Sequence, residues 1–195
     1  MTETRLNAVT SLDWPDVPPQ LRGEGVSLRG WRPDDADAVY RACQAADIQR
    51  WTTVPRPYLR EHADGFVGAF AAEQWANHAA ARFAVMQADA VVGSCGLVHV
   101  DAAELVAEVG YWVAPWARGR GVGASALPLL SAWALDAGGL QRLEALIEPA
   151  NAASCAVATA SGFALEGVLR SKVVVSGERR DIAMYARLGA PRTQG

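Results

Sequence analysis

The segment Arg118-Gly119-Arg120-Gly121-Val122-Gly123 sets three alternating glycines and two arginines between a strand-like run and a helix-like run. Glycine has no Cβ, so an anion can come close to the main chain. N–H groups at a helix start point at such a ligand, and the helix dipole favours negative charge there. Arg118 and Arg120 can add charge-assisted bonds to phosphate oxygens. The chemistry on offer is the grip of a phosphate or pyrophosphate. An ordinary glycine-containing strand–helix loop would have the same composition, and that reading stays open on these residues alone. Two nucleotide motifs fit poorly: the Walker loop GxxxxGK-S/T needs a lysine that is missing, and GxGxxG differs from Gly119-x-Gly121-x-Gly123.

The elements around this turn can be read from periodicity. Val26–Trp31 alternates as a strand, and Pro33-Asp34-Asp35 starts a helix that runs to about Ala46. Residues 50–58 are irregular, with two prolines. A helix is expected over Leu59–Asn77, with Phe66, Phe70 and Ala71 on one side. Arg82–Gln87, Ala90–Val100 and Leu105–Val113 read as an antiparallel meander. Val122–Ala137 is a helix stopped by Gly138-Gly139, Leu140–Glu148 a strand, and Asn151–Ser161 a short helix. Phe163–Arg170 and Ile182–Leu188 close the chain as strands, with a turn near Ser176-Gly177. Residues 1–20, polar and proline-rich, read as a tail or an arm over the surface, and 21–190 as one domain.

Composition bounds the class. The chain has 195 residues, half of them apolar and a fifth charged, which suits one globular domain. A net charge of −3 argues against a nucleic-acid binder. No apolar run is long enough for a membrane span, and the N-terminus has no signal-peptide pattern, so no membrane partner is expected. Cys43, Cys95 and Cys155 are an odd, scattered set, and His62, His78 and His99 form no metal-spaced cluster. Reduced thiols, a cytoplasmic location and no metal are the expectation.

Further motifs flank the turn in order: Glu108-Val109-Gly110-Tyr111-Trp112-Val113 before it, then Arg142-Leu143-Glu144-Ala145, Pro149-x-Asn151-x-x-Ser154, Ser161-Gly162-Phe163 and Glu166-Gly167-Val168-Leu169-Arg170 after it. Leu28-Arg29 with Arg32-Pro33-Asp34-Asp35-Ala36 and the closing Gly177, Asp181 and Tyr185 extend the set. Together they resemble the GNAT superfamily of N-acetyltransferases over residues 21–188, and most closely its ribosomal-protein-serine/alanine N-acetyltransferase branch. The resemblance implies an α/β (α+β) fold: a single domain with a mixed, mostly antiparallel sheet, splayed between two central strands and flanked by helices. Here those strands would be 105–113 and 140–148.

The resemblance also implies acetyl-CoA or another acyl-CoA, such as succinyl-CoA, as co-substrate, and a primary amine on a protein N-terminus or small molecule as acceptor. The pyrophosphate would sit on residues 118–123 and the pantetheine amides would pair with main chain near Trp112 and Val113, with Asn151 also near the cofactor. An alkylamine is about 1 part in 2,500 neutral at pH 7, a handicap of roughly 4–5 kcal/mol that a base relieves. Glu108 is the first candidate base, since Glu104, Glu108, Gly110 and Trp112 share one strand face unless a bulge intervenes. A solvated carboxylate or a structural ion pair is the plain alternative, and Glu144 is the second candidate. Ser154 is the candidate for protonating or hydrogen-bonding the leaving thiolate, although it also reads as a first-turn residue after the N-cap Asn151. Many relatives carry a tyrosine on this helix; 151–161 has none. Trp51, Arg56, Tyr58 and Trp75 fall where the family builds its acceptor pocket, with core or lid packing as the alternative for the aromatics. A non-catalytic acyl-CoA sensor is the rival function. A homodimer is expected by analogy alone.

Overall fold

A computed structural model describes residues 12, 14–175 and 177–190. The elements are β1 (Leu21–Arg22), β2 (Ser27–Arg29), α1 (Ala36–Cys43), α2 (Ala46–Trp51), α3 (Arg60–Gly65), α4 (Ala71–Ala76), β3 (Ala81–Gln87), β4 (Ala90–Asp101), β5 (Val106–Val113), α5 (Val122–Leu135), β6 (Arg142–Ile147), α6 (Ala152–Ala160), β7 (Ala164–Val175) and β8 (Glu178–Leu188). The eight strands form one sheet in the order β1-β2-β3-β4-β5-β6-β8-β7. Its pairings are antiparallel except for β5 with β6.

That parallel pair is short. Val106 pairs with Arg142, Ala107 with Leu143 and Glu108 with Glu144, and there the ladder ends. β5 runs on to Val113 against β4, and β6 runs on to Ile147 against β8. The sheet therefore splits between its central strands, with Glu108 and Glu144 at the vertex. The first turn of α6 crosses the gap, tied to β5 by the Tyr111 hydroxyl, which donates to the Ser154 carbonyl at 2.9 Å.

One face of the sheet packs on α5. Leu127 and Leu130 of α5 meet Leu28, Phe83, Leu97 and Leu143, all six with no exposed surface. Each such side chain contributes about 1.5–3 kcal/mol by burial. The opposite face carries α1, α3 and the wide turn after it, packed through Val39, Ala42, Ala63 and Val67. Arg29 of β2 anchors the turn before α1: it donates to both Asp35 oxygens at 2.7 and 2.8 Å, and Asp35 also accepts from the Arg32 N–H at 2.8 Å.

Several elements differ from the sequence reading for local reasons. The helix expected over 59–77 is broken into α3, a wide turn over 66–70 and α4, because Gly68 leaves helical geometry at φ −87°, ψ −124°. The helix expected to reach Ala46 ends at Cys43, and α2 fills the start of the irregular stretch. β7 continues past Arg170 because a bulge with Ser171 at φ +53° absorbs the break in alternation, fixed by Asp181 accepting from the Ser171 N–H at 2.8 Å. Leu12 and Trp14 are buried, and the Trp14 ring packs on Trp75 and Trp133, so this part of the N-terminal segment is core rather than a surface arm. Residues 1–11, 13 and Ser176 of the expected tail and turn lie outside the described residues. Among the described residues no helix is long and apolar enough to cross a membrane, and no cluster of metal-ligating side chains occurs.

Candidate active site

The strand β5 delivers the chain into the glycine turn. Gly119 and Gly121 take φ of +70° and +72°, and Gly121 is the N-cap of α5. A Cβ at either would meet nothing within 4 Å, so glycine is required there by backbone conformation rather than by space. Gly123 is glycine for another reason: a Cβ would stand 3.3 Å from Val157 of α6, so the third glycine lets two helices close up. The turn leaves the first N–H groups of a 14-residue helix without a side-chain cap.

Two cavities meet where the sheet splits. One, of about 330 Å³, lies against the turn and is bordered by Val113, Arg118, Gly119, Gly121, Val122 and Gly123. The other, of about 270 Å³, lies over β4 and β5 on the face that carries α1 and α3, and includes Arg82, Ser94, Gly96, Glu108 and Gly110. Trp51, Thr52, Tyr111, Trp112, Asn151 and Ser154 border both, so the two cavities are halves of one cleft. α2 lies across its top. Asp47 of α2 pairs with Arg118 at 2.8 Å on the β5 side, and Arg50 makes a two-pronged pair with Glu148 at 2.8 and 2.9 Å on the β6 side. The Arg50 guanidinium holds the Glu148 carboxyl below the usual carboxylate range. The same guanidinium stacks 4.3 Å over Trp51.

Glu108 stands at the inner end of the second cavity, half-buried. Burial pushes its carboxyl above the usual range; His99, directly opposite on β4, pulls it down, and Glu144 across the vertex pushes it up. Glu144 itself accepts from Arg142 Nε at 2.6 Å and borders neither cavity, which removes it as the second candidate base. Glu104, expected on the same strand face as Glu108, lies in the turn before β5.

The main chain of β5 is divided between its two edges. The Ala114 N–H donates to Val92 of β4, so strand alternation turns the main-chain groups of Trp112 and Gly110 toward β4 as well. The Val113 carbonyl accepts from Arg118 Nε at 3.2 Å on the other edge. Tyr111 and Val113 therefore present their N–H groups to the split. The free N–H groups on either side of Trp112 are thus those of Tyr111 and Val113, and Trp112 itself borders both cavities.

Asn151 caps α6, its side chain accepting from the Ser154 N–H at 3.2 Å, and both residues border the junction. Arg120 is exposed and borders neither cavity. Of the four acceptor-pocket candidates, Trp51 alone lines the cleft. Trp75 is a core residue, stacked on Trp133 with its Nε1–H bonded to the Pro15 carbonyl at 2.9 Å. Tyr58 is buried with α1 and α3, and Arg56 is exposed and borders neither cavity. Arg56 and Tyr58 miss the cleft because the chain lines it only as far as Val54 and then leaves it. Arg82, Tyr111, Thr52 and Phe66 line the cleft but carried no site role on sequence. The signal for Tyr111 was its place one residue before Trp112 on the strand entering the turn; Arg82 had none, since its position depends on two strand registers.

The acetyltransferase (GNAT) domain model matches residues 26–164. The chain is 26% identical over 173 residues to the uncharacterized N-acetyltransferase p20 of Bacillus licheniformis, covering 86% of this chain and 95% of that protein. It is 28% identical over 106 residues to the ribosomal-protein-serine acetyltransferase of Escherichia coli (strain K12), covering 54% of this chain and 59% of that one. The solved structure of Mycobacterium smegmatis RimJ, in complex with CoA-disulfide, superposes with a TM-score of 0.76 at 27% identity over 91% of this chain and 89% of RimJ. A split mixed sheet, a glycine turn opening α5 and a family match over most of the chain converge: the protein belongs to the acetyltransferase (GNAT) domain family.

Proposed function

We propose that this acetyltransferase moves an acyl group, acetyl in the first instance, from acyl-CoA to a primary amine by direct attack, and that the two halves of the cleft hold the two substrates. The observation that carries this reading is the meeting of a main-chain anion cradle and a carboxylate-bearing pocket at one junction, bordered by Trp112 and Ser154. The pyrophosphate takes the N–H groups of the turn, with Arg118 turning from Asp47 to a phosphate oxygen. The pantetheine arm runs along the free edge of β5, pairing with Tyr111 and Val113 as an added strand would. Mycobacterium smegmatis RimJ, bound to a CoA species, supports the same use of the groove.

The chemistry then follows from position. Glu108, with its carboxyl raised by burial, takes a proton from the acceptor ammonium, directly or through water. The freed amine attacks the thioester carbonyl, and the Val113 N–H faces the oxygen on which charge develops. As the carbon–sulfur bond breaks and the amide forms, the attacking nitrogen gives up its second proton, which reaches the CoA thiolate directly or by relay through the Ser154 hydroxyl, while Glu108 returns the first proton to water. An acyl-cysteine at Cys155 is not needed. The ribosomal-protein-serine acetyltransferase among the relatives favours a protein N-terminus as acceptor, with a small amine as the second reading. We place the enzyme in the cytoplasm, with its cysteines free, and take a homodimer by analogy; light scattering tests the latter.

The test is thiol release from acetyl-CoA and succinyl-CoA across a panel of peptides and small amines. Turnover with at least one amine is expected. Thermal stabilisation by acyl-CoA without thiol release would make the protein a sensor, and neither effect would overturn the reading.

A further inference from the structure

We infer that the acceptor-side half of the cleft selects an amine that also carries a carboxylate, and that Arg82 is the residue that receives it. This rests on the acyl-transfer reading above and names the class of acceptor.

Strand register places Arg82. It pairs with Gly96 on β4, and Gly96 pairs with Gly110 on β5. The three residues form one row across the sheet, about 10 Å from Arg82 to Gly110 at the usual strand spacing. The two inner members of the row have no side chain, so no polar or bulky group of the row stands between Arg82 and the split. A Cβ at Gly110 would stand 2.6 Å from Cγ1 of Val98, whose apolar side chain covers that position, and one at Gly96 would stand 2.4 Å from the Ala81 carbonyl oxygen, so neither position admits a larger residue without rearrangement. Glu108 is two residues along β5 from Gly110, on the same face.

The charges in this half of the cleft are unequal in their company. Glu148 is matched by Arg50. Arg82 is not matched by any carboxylate among the described residues. Its guanidinium donates to the Gln74 side-chain oxygen and, at 3.4 Å, to the Val98 carbonyl, and lies 5.3 Å from the Phe70 ring centroid. These are neutral partners that aim the group and leave donors over. Burial lowers the pKa of Arg82, as expected of a cation that has lost water and gained no anion. An arginine in that state is a ready site for a carboxylate, which it binds through two parallel N–H bonds. The pocket thus has a cation at one end and the base Glu108 at the other. An amine docking on Glu108 with a carboxylate directed along the glycine floor satisfies both.

The carboxylate could be an acidic side chain near a peptide N-terminus or the carboxylate of a free amino acid. Two matched pairs separate these sources: peptides differing only in Asp or Asn at their second residue, and an amino acid with its amide. In at least one pair, kcat/KM for the carboxylate member is expected to exceed that of the neutral member by about 10- to 100-fold. In R82Q and R82M that ratio should fall to near one, and R82K should keep part of it. Two charge-removing variants are made because the Arg82 guanidinium also lies against the Phe70 ring; stabilisation by acetyl-CoA reports that each variant is folded. A ratio near one in the parent, or a ratio unchanged in the folded variants, overturns the assignment while leaving acyl transfer intact. No thiol release with any amine removes the acyl-transfer reading and this assignment together.

Discussion

The two halves of the cleft are built by different means. The half against the glycine turn draws most of its wall from residues 111–124, a nearly contiguous stretch, and offers main chain: the N–H groups at the start of α5 and the free edge of β5. The half that holds Glu108 draws on β3, β4, β5, β6, α2 and the wide turn after α3, and offers side chains. A main-chain cradle depends on φ at a few glycines and tolerates change in the side chains around it. A side-chain pocket depends on where each charged group is aimed. Substitutions should therefore separate the halves: side-chain changes on the Glu108 side should act on turnover and acceptor choice, and backbone changes at the turn on acyl-CoA affinity.

The largest effect is expected at Glu108. Glu108→Gln should lower turnover by about 10²- to 10⁴-fold, the usual contribution of a general base, with stabilisation by acetyl-CoA unchanged. An equal loss of acetyl-CoA binding would break the division between the halves. The pH dependence has a definite sign. The folded pKa of Glu108 lies above its unfolded value, so the native state binds more protons in the window between them. This group's contribution to stability therefore falls as pH rises through that window. Glu108→Gln should be more stable than the parent above the window, and the advantage should shrink as pH falls below the ordinary carboxylate range. Paired thermal melts across pH check this; a constant difference would mean that Glu108 is not buried as described.

Next come two tryptophans that look alike in sequence. Trp75→Ala removes a fully packed ring between Trp14, Phe83 and Trp133 and should cost about 3–5 kcal/mol in urea unfolding. Trp51→Ala loses a part-exposed ring under Arg50, worth about 0.5–1 kcal/mol, and should act instead by raising the KM of the amine. Reversed effects would move the acceptor site away from the junction.

That pair also shows where sequence reasoning reached its limit. The turn, the strand before it and the Asn151-x-x-Ser154 cap were legible because each is contiguous and its backbone demand is written in glycine, asparagine and serine at fixed offsets. The order of the central and C-terminal strands followed from alternation for the same reason. Trp51 and Trp75 could not be told apart, because the break at Gly68 and the path of residues 52–59 decide which ring meets the split, and neither follows from periodicity. Arg82 was invisible for a stronger reason: two successive registers, β3 on β4 and β4 on β5, with a bulge in each pairing, carry it to the cleft. Glu144 stood second to Glu108 as a base on sequence, and its tie to Arg142 is a cross-sheet geometry that spacing alone does not reveal.

On the turn side, Gly121→Ala tests the main-chain cradle. An alanine at φ +72° costs about 1–2 kcal/mol although its methyl meets no atom within 4 Å. The KM for acetyl-CoA should rise by roughly 10-fold with turnover at saturation nearly unchanged. A fall in saturated turnover instead would mean that the turn positions the thioester as well as the pyrophosphate.

The smallest effect is the sharpest test of the division, because Arg118 ties the turn-side half to α2, whose Trp51 borders both halves. It pairs with Asp47 on the α2 strap and donates to the Val113 carbonyl beside the cradle. Both partners of the ion pair are about half exposed, so the pair itself contributes about 0.2–1 kcal/mol to stability. If Arg118 serves the cradle, Arg118→Ala should raise the KM for acetyl-CoA a few-fold, whereas Asp47→Ala, which frees the guanidinium, should leave it unchanged or lower it. If Arg118 serves only to pin α2 over the junction, the two variants should match each other and the double variant, and the change should appear in the KM of the amine. The four-protein cycle, measured in both substrates, assigns the residue to one half of the cleft by which KM carries the coupling.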